Sequence, residues 1–285
     1  MKTKLLMIQG TSSGAGKSLI VTALCRILSD RGYKVAPFKS QNMSSFIFNI
    51  NNTDKIIAQA QAIQAMGARI KPDVRMNPIL LKPLGNYESE VYLYGNFFLK
   101  MKANEYYSNF VLNQGFKLVL DAFNSLKNDN EVIILEGAGS PAEINILKYD
   151  IANMLLAKEI KAPVILVADI ERGGSFASIL GTITLLQPKY SNLIKGILLN
   201  KFLGDKHILF PAIKKIERYT KKPFLGIIPK IDHNIPDEDS LDRKIKRNKN
   251  HVSNNLEEID REIDKFSKAI ETVIDIEYIL RKILK

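Results

Sequence analysis

The chain has 285 residues, of which 46% are hydrophobic and 25% charged, and a formal net charge of +11. This is ordinary globular composition, long enough for one or two domains around a sizeable core, and no run approaches the ~18 apolar residues of a membrane span. The positive balance invites nucleic acid as a partner, but no basic–aromatic interleaving or nucleic-acid motif accompanies it; a polyanionic small substrate or a lysine-rich solvated surface explains it better.

The first element is an apolar run, Leu5 to Ile8, too short for a signal peptide and read as a strand. Gln9 and Gly10 lead into Thr11-Ser12-Ser13-Gly14-Ala15-Gly16-Lys17-Ser18, and Leu19, Ile20, Ala23, Leu24, Ile27 and Leu28 follow at helical spacing. Strand, glycine loop and helix in that order make a P-loop: small residues let backbone N–H groups face phosphate oxygens, and the helix N-terminus adds partial positive charge. Lys17 is placed to reach the β- and γ-phosphates of ATP, and the Ser18 hydroxyl to ligate Mg2+. The first glycine, Gly10, stands one place earlier than in the standard spacing, where Thr11 is found. The single cysteine, Cys25, falls within the helix and reads as a small core residue; with no internal disulfide possible, no membrane-span run and no signal peptide read, a cytosolic chain is expected.

Tyr33 to Phe38 reads as a second strand, ending in Lys39-Ser40-Gln41-Asn42-Met43. Polar residues just past a strand's carboxyl end lie where open α/β sheets bind ligands, although Lys39 on position alone is equally an ordinary surface lysine. Ile56 to Ala68 is helical in pattern and rich in alanine and glutamine, and Pro72, Pro78 and Pro83 break the chain after it. Val91 to Tyr94 is a short strand and Asn104 to Leu126 a long helix. Val132 to Leu135 is a fully apolar strand ending in Glu136, a carboxylate suited to the Mg2+ side of a nucleotide site. Further strands at Pro163–Ala168, Ile194–Leu199 and Phe224–Ile228 end in Asp169, in Asn200-Lys201 and in Pro229; Asn200 and Lys201 stand where P-loop proteins often read the base. Strands alternating with helices predict an α/β fold, a doubly wound, mainly parallel sheet of P-loop NTPase type with a C-terminal helical tail. Residues 1–240 are expected to form the P-loop domain and 241–255 a polar linker. Residues 256–285 form an amphipathic tail, with Leu256, Ile259, Ile263, Phe266, Ile270 and Val273 on one face, packing against its own domain or a subunit partner in a homodimer.

The P-loop, Ala36–Met43, Met76–Pro83, Glu136–Asn145, Asp150–Met154, Ala168–Gly174 and Pro236–Ser240, in that order, resemble the cobyric acid synthase family, in the dethiobiotin synthetase-like branch of P-loop proteins. The resemblance runs from about residue 4 to residue 240. The related partitioning ATPases would carry a lysine at Ser12. The resemblance implies an ATP- and Mg2+-dependent amidoligase that converts adenosylcobyrinic acid a,c-diamide to cobyric acid. Lys17, Lys39, Glu136, Asp169 and Arg172 would be catalytic. Thr11 to Ser18, with Asn200 and Lys201, would hold the nucleotide, and Gln41, Asn42, Asn77 and Lys82 the corrinoid.

Two departures stand out. By this resemblance relatives carry an acidic Mg2+ ligand before the second helix, where this chain has Ile56; either Asp54, two residues earlier, substitutes in a shifted register as a metal ligand in addition to Ser18 and Glu136, or that ligand is missing. Full-length relatives also continue into a glutamine amidotransferase domain with a catalytic cysteine and histidine. Here Cys25 is in the P-loop helix, and His207, His233 and His251 have no thiol partner. Glutamine hydrolysis is therefore not expected, and ammonia would come free or from a separate glutaminase subunit. A dethiobiotin synthetase-like ligase on another carboxylate and a non-catalytic nucleotide-binding remnant are the competing readings.

Overall fold

The computed structural model describes residues 3–50, 53–236 and 256–284. In chain order the strands are β1 (Lys4–Gly10), β2 (Val35–Phe38), β3 (Gln41–Met43), β4 (Ile47–Asn49), β5 (Ile56–Ala58), β6 (Ile79–Gly85), β7 (Glu88–Leu93), β8 (Asn96–Lys102), β9 (Val132–Glu136), β10 (Val164–Asp169), β11 (Ile194–Phe202) and β12 (Phe224–Pro229). Six of them form one wholly parallel sheet in the order β12-β11-β10-β1-β9-β2. Alternate residues of each central strand enter opposite cores. Leu6, Ile8, Val132 and Ile134 pack with helix α1 (Lys17–Asp30), and Met7, Ile133 and Leu135 pack with the helix Phe116–Asp129. A parallel sheet covered on both faces needs such continuously apolar strands. The expected doubly wound architecture is thus observed, with β1 at the point where the chain's path divides toward the two edges. A ligand crevice opens outside the carboxyl ends at such a point.

A smaller four-stranded sheet, β3-β6-β7-β8, and a β4–β5 ribbon stand beside the carboxyl end of β2. Here the sequence expectation is corrected. Instead of a chain broken by prolines with one short strand, residues 79–102 form a meander whose two turns, Asn86-Tyr87 and Tyr94-Gly95, hold positive φ. Two-residue turns of that hand match the twist of antiparallel strands, and Pro83 is accommodated at a register shift in β6. Ile56 to Ala58 is extended rather than helical: its two β-branched isoleucines pair with β4, and helix α2 runs only over Gln59–Gly67. The long helix is present but begins at Ala103, reaches Asp129 and is wound as a π-helix over Tyr106–Gly115.

The C-terminal helix, Leu256–Glu271, buries Ile263, Phe266 and Ile270 in the same core as α1, so its apolar face is covered within the chain; Leu256 at its start is half exposed. Beyond it, Ile274 bridges to Gly226, and the Asp275 N–H donates to the Leu225 carbonyl at 2.9 Å, covering part of the β12 edge. Residues 237–240 of the motif that begins at Pro236, and the polar segment 241–255, lie outside the described residues. Among the described residues no helix is long and apolar enough to cross a membrane.

Candidate functional site

β1 ends at Gly10, and the loop that follows turns into α1 at Lys17. Gly16 has φ 92°, and a Cβ there would lie 2.1 Å from Asn200 Nδ2, so only glycine fits. The buried Lys17 curls back over the loop, its Nζ donating to the carbonyls of Ser12 (3.1 Å) and Gly139 (3.3 Å). Thr11 N–H donates to the Val167 carbonyl at 2.9 Å, which fixes the loop's start against β10. Ser12, Ser13 and Gly14 are exposed at its crest, and Ala15 is buried beneath.

The ends of β10 and β11 brace this loop. Asn200 Nδ2 donates to the Ala15 carbonyl at 2.9 Å, while its Oδ1 accepts from Lys201 N–H. Lys201 Nζ reaches the Gly14 carbonyl at 2.6 Å and Asp169 Oδ2 at 2.8 Å. The structure therefore gathers Asn200, Lys201 and Asp169 at the P-loop, where their side chains hold its shape. Arg172 is on the exposed turn that follows β10.

Glu136, at the end of β9 and 1% exposed, is the hub of the site. Its Oε1 accepts from Ser18 Oγ at 2.8 Å and from Lys39 Nζ at 2.8 Å, and its Oε2 accepts from Gln64 Nε2. Lys39, 4% exposed, is thus no surface lysine. Ions so far from water persist only when paired and hydrogen-bonded, and the serine and glutamine supply what the ion pair alone leaves unsatisfied.

Asn77 sets the turn that carries Lys39. Its Nδ2 donates to the Lys39 and Ile79 carbonyls and its Oδ1 accepts from Ala58 N–H, so its fully buried amide ties β2, β5 and β6 together. Gln41 Oε1 accepts from Tyr106 Oη at 2.7 Å, and Asn42 Nδ2 donates to Gln61 Oε1 at 2.8 Å. Lys82 is on β6 beside Glu90, at 3.4 Å. Asp54 stands on the exposed turn between β4 and β5, and Ile56 packs into a small apolar cluster with Ala58 and Leu80. Among the described residues no three His, Cys, Asp or Glu side chains gather as a ready-made metal cage. Cys25 is buried in the core, and burial pushes its thiol up, away from nucleophilic use.

Three further residues shape the site: Gln61 and Gln64, which no sequence motif marks, and Asn153, which stands in the Asp150–Met154 motif without an assigned role there. Gln61 and Gln64 are buried on α2, where the only local signal was polarity on a helix face that packs inward. Asn153 clamps the loop after β9: Nδ2 donates to the Ala138 carbonyl at 2.6 Å and Oδ1 accepts from Ala138 N–H at 3.1 Å, as a neighbouring strand would. The clamp sets Gly139, which receives Lys17. Asn153 Nδ2 also donates to Asp150 Oδ1 at 3.0 Å. Burial pushes the Asp150 carboxyl up to about 7, offset in part by hydrogen bonds from the Asn153 side chain and neighbouring backbone N–H groups.

A glycine loop between a central parallel strand and a helix, with a buried carboxylate on the adjacent strand facing its serine, defines a nucleotide-binding protein of the P-loop class. Residues 6–241 match the CobQ/CobB/MinD/ParA nucleotide binding domain, and the chain belongs to that family. It is similar to the cobyric acid synthase of Thermodesulfovibrio yellowstonii, 51% identical over 243 residues, or 85% of this chain and 48% of that protein. It is also similar to that of Limosilactobacillus reuteri, 46% identical over 267 residues, or 94% of this chain and 53% of that protein. The chain spans about half the length of the curated relatives it matches. Among solved structures, the signal recognition particle receptor FtsY of Elizabethkingia anophelis in complex with GDP aligns over 80% of this chain and 57% of its own, with TM-score 0.47 and 15% identity.

Proposed function

We propose that this chain carries the ATP-dependent amidation of corrinoid side-chain carboxylates, the conversion of adenosylcobyrinic acid a,c-diamide to cobyric acid. The observation that supports it is the convergence of Ser18 from the P-loop and Lys39 from the end of β2 on one carboxylate oxygen of Glu136. A carboxylate is a poor acyl donor. Transfer of the ATP γ-phosphoryl to its oxygen makes an acyl phosphate; ammonia then attacks the carbonyl carbon, the C–N bond forms, phosphate leaves and a proton is released. Lys17 neutralises the transferring phosphoryl, and Lys39 bridges it to the substrate carboxylate.

Ser18 Oγ and Glu136 Oε1 are hard oxygen donors 2.8 Å apart, which fits Mg2+ completed by phosphate oxygens and water. Mg2+, when bound there, spreads the charge of the phosphates. Asp54, on the exposed turn between β4 and β5, would add a further acidic ligand only in a shifted register. Gln41, Asn42 and Lys82 supply the corrinoid side, with Asn77 acting from behind by shaping the Lys39 turn. Asp169 acts with Lys201 on the P-loop, and Arg172 from the exposed turn reaches the reacting groups. The ammonia comes free or from a separate glutaminase.

The test is ATP turnover by the purified chain with cobyrinic acid a,c-diamide and Mg2+, given ammonium or glutamine in turn, with products read by mass spectrometry. Corrinoid-stimulated phosphate release with ammonium, and products carrying the mass change of amidation, is the expected result. No corrinoid-stimulated turnover with either nitrogen source overturns the proposal.

A further inference from the structure

Gln61 and Gln64 are wholly buried on α2. Burying a carboxamide is costly unless its hydrogen-bond partners are supplied, and here the partners are other amides and the Glu136 carboxylate. Asn42 Nδ2 donates to Gln61 Oε1 at 2.8 Å, Gln61 Nε2 donates to Gln64 Oε1 at 3.3 Å, and Gln64 Nε2 donates to Glu136 Oε2. The direction of this relay follows from chemistry. A carboxylate paired with an ammonium only accepts, so Gln64 turns its amino group to Glu136 and its carbonyl back toward Gln61. Gln61 must then donate forward in the same sense, and so must Asn42. One end of the relay lies on β3, which pairs with β6 of the small sheet; the other pins the Glu136 oxygen that faces away from Ser18 and Lys39.

The geometry points to Gln61 and Gln64 as positioning residues that fix the rotation of the Glu136 carboxylate and couple it to Asn42, so that the nucleotide side and the small-sheet side of the site respond to each other. This deepens the function proposed above and rests on it only for what engages Asn42. The coupling itself needs no corrinoid. Asn42→Asp replaces the first donor with an acceptor, so the relay keeps its bonds only if each amide turns over and presents the Gln64 carbonyl to Glu136. Asn42→Ala merely removes the donor.

Binding of a non-hydrolysable ATP analogue with Mg2+ is titrated to the wild type, Asn42→Asp, Asn42→Ala, Gln61→Met and Asn42→Asp with Gln61→Met. Asn42→Asp is expected to weaken binding about tenfold and Asn42→Ala about threefold, and Gln61→Met to remove most of the Asn42→Asp effect, the non-additivity of members of one network. Gln64→Met replaces Gln61→Met if the latter melts well below the wild type. Equal Asn42→Asp losses in both backgrounds, or no loss in either, overturn the inference. A ligand-free measurement separates it from the functional reading: the side-chain amide 15N–1H resonances of Gln64 should move in Asn42→Asp but not when Gln61→Met interrupts the relay. Unmoved resonances in Asn42→Asp overturn the relay, whatever the chain binds.

Discussion

Arg26 in the P-loop helix and Asp264 in the C-terminal helix are 238 residues apart in sequence and form an ion pair. The guanidinium also pairs with Asp260 and donates to the carbonyls of Met66 and Gly67 at the end of α2, both at 2.9 Å, so three helices meet on one side chain. Arg26 is 1% exposed, whereas the two carboxylates are 41% and 36% exposed.

That asymmetry predicts unequal costs. Asp260→Asn with Asp264→Asn strands a buried guanidinium and should cost about 3–5 kcal/mol. Arg26→Met leaves solvated carboxylates and two helix-end carbonyls, and should cost about 1–3 kcal/mol. Urea denaturation of the two variants checks the order, and equal losses contradict it.

At the nucleotide site, Lys17→Ala and Glu136→Gln should each lower kcat by about 100- to 1,000-fold, the scale of losing one preorganised charge-stabilising group. Lys17→Ala should melt with the wild type. Glu136→Ala should lose activity and also melt earlier, because it removes a buried carboxylate paired at 2.8 Å with the buried Lys39 ammonium. Kinetics and thermal melts on the same samples separate these effects; a wild-type rate in Lys17→Ala or Glu136→Gln rules out the assigned roles.

The loop after β9 offers a steric test. A Cβ on Gly137 would lie 2.1 Å from Asn153 Oδ1, so Gly137→Ala must break the clamp on Ala138 and shift Gly139 away from Lys17. A loss of about 100-fold in kcat is expected for misplacement on the ångström scale. Gly181→Ala is the control: it is helical with nothing within 4 Å of the new methyl, and should stabilise by about 0.5–1 kcal/mol without changing turnover. Steady-state kinetics and melting of the pair decide it.

Asp150 predicts a pH dependence. Its carboxyl titrates near 7 in the fold against an ordinary value of 3.8, so the folded state holds the proton more tightly than the unfolded chain does. Between about pH 4 and pH 7 this group therefore lowers stability as pH rises, by up to about 1.4 kcal/mol per pH unit. Asp150→Asn removes the slope, and its melting temperature should gain on the wild type from pH 4 to pH 7.5. Parallel melting curves across that range contradict the assignment.

Much of the fold was legible because its determinants are local. Consecutive backbone N–H groups in one glycine loop make a phosphate cradle, so Gly10 to Ser18 announce it; apolar runs such as Val132–Leu135 announce strands buried on both faces. Glu136 was legible because the end of a buried strand leaves few other uses for a carboxylate. Ile56 to Ala58 reads as helix from its alanine-rich neighbourhood, but its two isoleucines extend and pair with β4, a partner that local composition does not reveal. Periodicity and composition set backbone conformation over a few residues, and to that extent the sequence alone determined the sheet, the P-loop and the tail helix. Only the tertiary structure decided which atoms the buried polar side chains meet. Gln64 reaches across 72 residues to Glu136, and Arg26 across 238 to Asp264. Each must find its partner away from water, and only packing between strands and helices remote in sequence puts that partner within hydrogen-bond reach.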